Sequence, residues 1–233
     1  MLGRSAGCAT GVFPDTRSMP LGPPLRQAFY ARDSRVVAAD LIGCRLVHRL
    51  RDGDRLVVRI VEVEAYRGDG SDPASHAHRG QTPRNKTMFG PAGRLYAYRS
   101  YGIHICVNVV CGERGMASAV LLRAAQPLEG LSRMRALRGL ALDSKDDVIA
   151  RGPGRLGAAL GLTLLDDGCS LLRAPLTLHP PEASNPLAQV ERGPRVGITK
   201  AAELPDRFFE RNSPWVSPFR SGHKKRRVNS IGR

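Results

Sequence analysis

The residues best suited to chemistry lie in the segment Arg59-Ile-Val-Glu-Val-Glu-Ala-Tyr66, where an apolar, strand-like run presents two carboxylates and a tyrosine. Side chains alternate along an extended strand, so Glu62, Glu64 and Tyr66 are predicted to share one face. Carboxylates on an otherwise apolar strand are costly to bury unless they have partners. A carboxylate beside an aromatic ring indicates a pocket for a flat substrate, with a base to act on it.

Positive charge dominates the chain, which carries 36 lysines and arginines against 21 aspartates and glutamates, a formal net charge of +15. Such an excess favours a polyanionic partner, and charge alone leaves nucleic acid, an anionic membrane and polyphosphate open. The five cysteines lack a zinc-ligand spacing and no nucleotide-binding fingerprint occurs, so no metal and no cofactor is expected. No apolar run has the length of a membrane span or signal peptide, which predicts a soluble intracellular protein without a membrane partner.

Local patterns predict the elements that must position these residues. Helical spacing predicts helices within 25–46, 128–142 and 148–160. Apolar runs bounded by turn residues predict strands at 46–50, 56–65, 94–99, 103–110 and 117–124, and shorter ones near 171–178 and 195–198. The polar segment 67–90 is predicted to be a long loop. Residues 1–23 are predicted to be a disordered leader, with Met19 as an alternative start, and residues 222–233 a basic disordered tail.

Seven short segments are specific when taken together, because of their order and spacing. They are Glu62-Val-Glu-Ala-Tyr66, Gln81-Thr-Pro-Arg-Asn85, Met88-Phe89, Leu95-Tyr-Ala-Tyr98, Tyr101-Gly102, Val120-Leu-Leu-Arg-Ala124 and Ser213-Pro-Trp-Val-Ser217. From about residue 24 to 220 the chain resembles the alkyladenine (3-methyladenine) DNA glycosylase family, in its single-domain form. With the strand and helix patterns, this predicts one glycosylase domain over 24–221. The expected class is mixed α/β (α+β), a curved, mainly antiparallel sheet surrounded by helices.

The resemblance implies hydrolysis of an N-glycosidic bond in DNA. A base inside a duplex is out of reach, so such an enzyme must flip the nucleotide into a pocket. Breaking the bond builds positive charge on the sugar, and one carboxylate can both deprotonate the attacking water and stabilise that charge. Glu64 matches the family's catalytic general base. From the bare sequence, a salt-bridged strand carboxylate would be the competing interpretation.

The resemblance also supplies the walls of the base pocket. Tyr66 matches a ring that stacks on the flipped base, and His76 a ring that packs opposite and hydrogen-bonds the base edge. His78 is the competing candidate for the ring opposite Tyr66, and His76 is favoured. Tyr98 matches a third pocket ring, and Asn108 matches an amide that rejects guanine by a clash with its 2-amino group.

Other residues are expected to contact the DNA or to support the site. Tyr101, at a predicted hairpin tip, matches a wedge that enters the minor groove and fills the gap left by the flipped nucleotide. Arg123 matches an arginine on the DNA backbone, although a salt bridge at the strand end is the competing interpretation. Glu62 is expected to support Glu64, paired with an arginine. Arg84, Arg99, Arg155 and the run Lys224–Arg227 are further candidates for phosphate contacts.

The sequence therefore predicts a monofunctional glycosylase that releases alkylated or deaminated purines, of the 3-methyladenine and hypoxanthine type, without a lyase step. Its expected partner is double-stranded DNA with damaged purines, and it is expected to act as a monomer. The expected location is the bacterial cytoplasm, with the nucleoid, or a eukaryotic nucleus. The alternative is a binding module for damaged DNA or RNA that performs no chemistry.

Overall fold

The computed structural model describes residues 21–182 and 189–222. The predicted leader and basic tail therefore lie outside the described residues, except at their inner ends. The helices of the described part are α1 (Gln27–Tyr30), α2 (Ser34–Leu41), α3 (Leu131–Leu137) and α4 (Pro153–Ala159), with 3₁₀ turns at Lys86–Phe89, Asp146–Val148 and Leu164–Asp166. The strands are β1 (Arg45–Arg49), β2 (Arg55–Tyr66), β3 (Leu95–Ser100), β4 (His104–Cys111), β5 (Ser118–Glu129), β6 (Leu172–Arg173), β7 (Leu176–His179), β8 (Val190–Gly193) and β9 (Arg207–Glu210).

The described strands form one curled antiparallel sheet in the order β3-β4-β5-β2-β1-β7-β6, with β9 paired to β2 and β8 paired to β9. The long strand β2 lies at the centre of this arrangement. It pairs with β5 along one edge, and with β1 and then β9 along the other. The predicted class, a mixed α/β domain with a curved antiparallel sheet, is confirmed.

A bulge in β2 decides where its carboxylates point. The register against β5 shifts on both sides of Glu62. Before the shift, the even-numbered residues Leu56, Val58 and Ile60 lie in the main hydrophobic core, and after it the odd-numbered Val63 and Ala65 do so. An extra residue in one strand reverses the alternation of faces. The segment Glu62–Tyr66 therefore turns its polar side chains away from the main core, towards β9 and the loops.

Helices α2 and α4 pack on strands β2 and β4, which carry predicted site residues. Asp33 immediately precedes helix α2, and its carboxylate caps the helix by accepting a hydrogen bond from the Arg35 amide. Helix α4 packs on β4 at Gly157, where a Cβ would lie 2.2 Å from the Ile105 carbonyl oxygen. Only glycine permits so close an approach of two backbones. The hairpin of β3 and β4 is thereby fixed against a helix.

Several predicted elements differ from those observed. The predicted first helix divides into α1 and α2, and strand β5 continues to Glu129, into the range predicted to be helical. The strand predicted at 195–198 is wrong: this segment is irregular, and its side chains and amides bind other parts of the chain instead of a neighbouring strand. The loop predicted at 67–90 is confirmed apart from its one 3₁₀ turn.

Candidate active site

Glu64 is a fully buried carboxylate bound by three donors. Its Oε1 accepts a hydrogen bond of 2.6 Å from the Val196 amide and lies 3.2 Å from Nη1 of Arg123. Its Oε2 accepts a hydrogen bond of 2.9 Å from the hydroxyl of Tyr66. Burial and the adjacent carboxylate raise the pKa of Tyr66 well above its ordinary value, so the phenol stays protonated and donates. A carboxylate offers about four lone-pair positions, which leaves one free on Oε2.

Glu62 lies two residues before Glu64 on β2, and its carboxylate accepts more hydrogen bonds than that of Glu64. It accepts hydrogen bonds from Nε of Arg123 at 2.9 Å and Nε of Arg207 at 2.8 Å. The amide and hydroxyl of Ser217 donate at 2.8 and 2.9 Å. Burial alone would raise the pKa of Glu62, but the two guanidinium groups and Ser217 hold it below its ordinary value. Glu62 is thus a charged residue paired with two arginines, and its pairing with an arginine agrees with the expectation from the sequence. Its support of Glu64 stays a prediction.

Arg123 lies between these two carboxylates and is 6% exposed. Its Nε binds Glu62, its Nη1 faces Glu64, and its Nη2 lies 3.4 Å from the hydroxyl of Ser217. All three nitrogens thus have partners within the protein. The contact with a DNA phosphate stays a prediction, and this geometry favours the competing interpretation, an ion pair within the site.

Next to Glu64 lies an aromatic cavity of about 140 Å³. Its lining comprises Tyr66, Ala74, His76, Met88, Tyr96, Tyr98, Asn108 and Ile198. The four residues predicted to form the base pocket are therefore brought together, from one loop and three strands. Tyr96 is 1% exposed and also contributes to this wall.

The rings of the cavity support one another. The centroids of Tyr96 and Tyr98 are 5.6 Å apart in a stacked arrangement, and His76 packs edge-on to Tyr98 at 4.5 Å. Nδ1 of His76 lies 3.1 Å from the hydroxyl of Tyr96. Desolvation and, to a lesser extent, Arg84 lower the pKa of His76, which favours a neutral ring. His78 instead binds the Gly70 carbonyl through Nδ1 and does not line the cavity.

Asn108 lies on β4 and is 5% exposed. Its Nδ2 donates to the Tyr96 carbonyl at 3.3 Å, which fixes the amide at the wall of the cavity. Because of this bond, the amide cannot turn aside without leaving a buried donor unpaired.

Tyr101 is the most exposed aromatic residue reported for the described chain, at 88% of its surface. It lies between β3 and β4, and both Tyr101 and Gly102 have positive φ, at 49° and 74°. Two consecutive left-handed residues give a tight hairpin tip. The neighbouring Ile103 is 75% exposed, so the tip presents two apolar side chains to solvent.

Arg195 and Asp72 form a buried ion pair that the sequence did not indicate. Nη1 and Nη2 of Arg195 bind the two carboxylate oxygens of Asp72 at 2.6 and 2.8 Å, and neither side chain has any exposed surface. The guanidinium carbon lies 4.6 Å from the centroid of the Tyr66 ring. The pair joins the loop that carries His76 to the segment that carries Val196. Since its members are 123 positions apart, no local pattern could have revealed it.

A second, more open cavity of about 440 Å³ lies on the other side of Tyr98, between the hairpin tip and the 3₁₀ turn at Leu164. Arg84 and Arg99 line it. Nη2 of Arg84 donates to the Arg99 carbonyl at 3.2 Å, and its guanidinium lies 5.8 Å from the Tyr98 ring. We call this cavity the arginine groove.

The described residues hold neither a cluster of metal-binding side chains nor a membrane-spanning helix. In 21–182 and 189–222, no three His, Cys, Asp or Glu side chains are placed to hold a metal ion together. None of the helices in this part of the chain combines the length and apolar character needed to cross a bilayer.

Comparison with known proteins gives consistent matches. The model of the family described as methylpurine-DNA glycosylase matches residues 28–214. A relative from Rhodopseudomonas palustris (strain BisB18) is 49% identical over 203 residues, covering 87% of this chain and 95% of its own length. One from Methanoculleus marisnigri is 51% identical over 199 residues, covering 83% and 98% respectively. A third, from Leifsonia xyli, is 45% identical over 207 residues, covering 86% and 94%. All three are named "Putative 3-methyladenine DNA glycosylase".

Proposed function

We propose that this chain, which belongs to the methylpurine-DNA glycosylase family, is a DNA repair enzyme that hydrolyses the N-glycosidic bond of damaged purines. Its expected substrates are alkylated purines such as 3-methyladenine and deaminated ones such as hypoxanthine. The observation that carries the proposal is the buried carboxylate of Glu64 beside the aromatic cavity. The hydrogen bond between Glu64 and Tyr66 joins a carboxylate that can accept a proton to the wall of an aromatic cavity.

Binding begins with the excess of positive charge and the exposed hairpin tip. The net charge of +15 attracts DNA, and Tyr101 enters the minor groove as a rigid wedge. The wedge fills the space vacated by the flipped nucleotide. Arginines of the arginine groove are well placed for neighbouring phosphates, because the groove adjoins both the tip and Tyr98.

The flipped purine occupies the aromatic cavity, where Tyr66, His76 and Tyr98 contact it. Stacking of a base on an aromatic ring is worth about 1–3 kcal/mol, which helps to hold the base out of the duplex. Asn108, fixed by the Tyr96 carbonyl, excludes the 2-amino group of normal guanine. The cavity thus selects as well as binds.

Glu64 is the proposed general base. The free lone pair on its Oε2 accepts a proton from water, which attacks C1′ of the sugar as the purine leaves. The negative charge of the carboxylate also stabilises the positive charge that develops on the sugar. Glu62 and Arg123 act as positioning residues, since they hold the carboxylate in one orientation.

The enzyme is proposed to be monofunctional, because no lysine among the described residues lines the aromatic cavity. A lyase step needs an amine that attacks the sugar to form a Schiff base. The expected product is therefore an intact strand with an abasic site.

Duplexes that each carry one defined lesion test the proposal. The variant Glu64→Gln is expected to bind lesion DNA as wild type does but to release base more than a hundredfold more slowly, the scale expected for loss of a general base. Replacement of the exposed Glu203 by Gln serves as the matched control. Equal release by Glu64→Gln and wild type would refute Glu64 as the general base, whereas binding without any release by wild type would support a binding module. Matched RNA duplexes test the choice of backbone.

A further inference from the structure

One face of the Tyr66 ring is already occupied within the protein. The guanidinium of Arg195 lies over it, 4.6 Å from the centroid, and Arg195 is 1% exposed. Tyr66 lines the aromatic cavity but Arg195 does not. A flipped base therefore stacks on the opposite face, with the ring between the base and the buried cation.

The cation behind the ring has its own counter-ion. Asp72 binds Arg195 through both oxygens and has no exposed surface. It also accepts hydrogen bonds from the amides of Arg67 and Ala74, which hold it in place. Asp206 also acts on Arg195, but its carboxylate is paired with Arg67 at 2.9 Å. Asp72 is thus the carboxylate that directly neutralises the cation behind Tyr66.

Neutralisation matters because damaged purines differ in charge. A purine methylated on a ring nitrogen, such as 3-methyladenine, is cationic while it is still bonded to the sugar, whereas hypoxanthine is neutral. A cation is attracted to the electron-rich face of an aromatic ring. If stacked rings are separated by van der Waals contact, a purine on Tyr66 lies roughly 8 Å from the Arg195 guanidinium. At that distance an unneutralised guanidinium would repel a cationic base and leave a neutral one almost unaffected.

We propose that the Asp72–Arg195 pair is a specificity determinant that keeps the stacking face of Tyr66 usable by positively charged purines. The inference rests on the proposed function, since it assigns a substrate class to the same pocket. Asp72 touches no substrate and acts through Arg195 and the tyrosine ring. Its role is electrostatic, in addition to holding the loop.

The experiment compares second-order rate constants for release of a cationic methylated purine and of hypoxanthine, measured in single turnover with the same enzyme preparation below saturation, so that binding of the charged base is included. Asp72→Asn is expected to lower the ratio of the two rates, cationic over neutral, by about tenfold. Arg195→Gln leaves a carboxylate behind the ring and is expected to raise that ratio. The double variant, with both charges removed, is expected to restore the wild-type ratio.

The ratio separates an electrostatic role from a structural one. Loss of folded enzyme lowers both rates in proportion, and the ratio then stays at its wild-type value. A displaced loop would persist in the double variant, which also lacks the ion pair, so only an electrostatic role restores the ratio there. An unchanged ratio in Asp72→Asn and Arg195→Gln overturns the inference, as does a double variant that behaves like Asp72→Asn. Failure of the proposed function has a different signature, because wild type would then release neither base.

Discussion

The hydroxyl of Tyr66 donates a hydrogen bond of 2.9 Å to Oε2 of Glu64. The residue proposed to stack on the base and the residue proposed to activate water are therefore directly connected. Tyr66 has two separable parts, a ring that faces the cavity and a hydroxyl that binds the carboxylate. The connection ties the orientation of the Glu64 carboxylate to the position of the ring on which the base is proposed to stack.

Tyr66→Phe tests this connection, because it removes the hydroxyl and keeps the ring. A hydrogen bond to a charged group is worth about 1.5–3 kcal/mol. Release of hypoxanthine is therefore expected to slow by roughly ten- to a hundredfold, because the carboxylate loses one of the donors that hold it in place. Tyr98→Phe is the control, since no hydrogen bond joins Tyr98 to Glu64 in the described structure. Equal release rates for Tyr66→Phe and wild type would refute the connection.

Glu62→Gln is expected to destabilise the fold by about 3–5 kcal/mol at neutral pH, because it leaves Arg123 and Arg207 buried without their shared counter-ion. The folded-state pKa of Glu62 is depressed, so its contribution is fully present above the unfolded pKa. It is lost as the pH falls through the folded pKa. Urea unfolding of both proteins should show the wild-type advantage shrinking below about pH 4. A constant difference across that range would contradict the assignment of a charged Glu62.

Tyr101→Ala is expected to slow base release from duplex DNA by at least tenfold, since no side chain then fills the space that the flipped nucleotide leaves in the base stack. The loss is expected to be smaller when the lesion lies in a mismatch, because less stacking and pairing must then be broken. Tyr101→Phe keeps the wedge and should behave like wild type. Equal losses on paired and mismatched lesions would argue that the tyrosine only completes the turn.

Arg84→Gln and Arg99→Gln test the arginine groove. If each guanidinium binds one phosphate, each replacement should lower the slope of log affinity against log salt by about one, with similar effects on every lesion. Arg211, which is exposed and paired with Glu191, provides the matched control. Unchanged salt slopes would show that the arginine groove does not bind DNA phosphates.

Local pattern was sufficient for much of the fold. The hairpin around Tyr101 follows from two apolar runs about a short turn, and Glu62, Glu64 and Tyr66 share a face as strand alternation requires. The family motifs added the pocket residues His76, Tyr98 and Asn108, which the structure brings to one cavity. These features depend on neighbours in sequence or on motifs that can be compared.

The remainder depends on contacts between distant segments. The bulge at Glu62 appears only in the pairing of β2 with β5. Ser217 lies 155 positions from Glu62, and Arg195 123 positions from Asp72. The segment of Arg195 has a strand-like composition, but its polar groups have stronger partners in Asp72 and Glu64 than a neighbouring strand would offer. No periodicity encodes such pairs.

The hydrogen bonds from Arg207 and Ser217 to Glu62 also have a consequence for the order in which the site forms during translation. A ribosome delivers residue 62 early and residue 217 close to the end of the described chain. Until that last segment emerges, Glu62 lacks the donors supplied by Arg207 and Ser217. A chain that stops short of this segment therefore cannot hold Glu62 as the finished protein does. Activity should appear only after translation has passed Ser217.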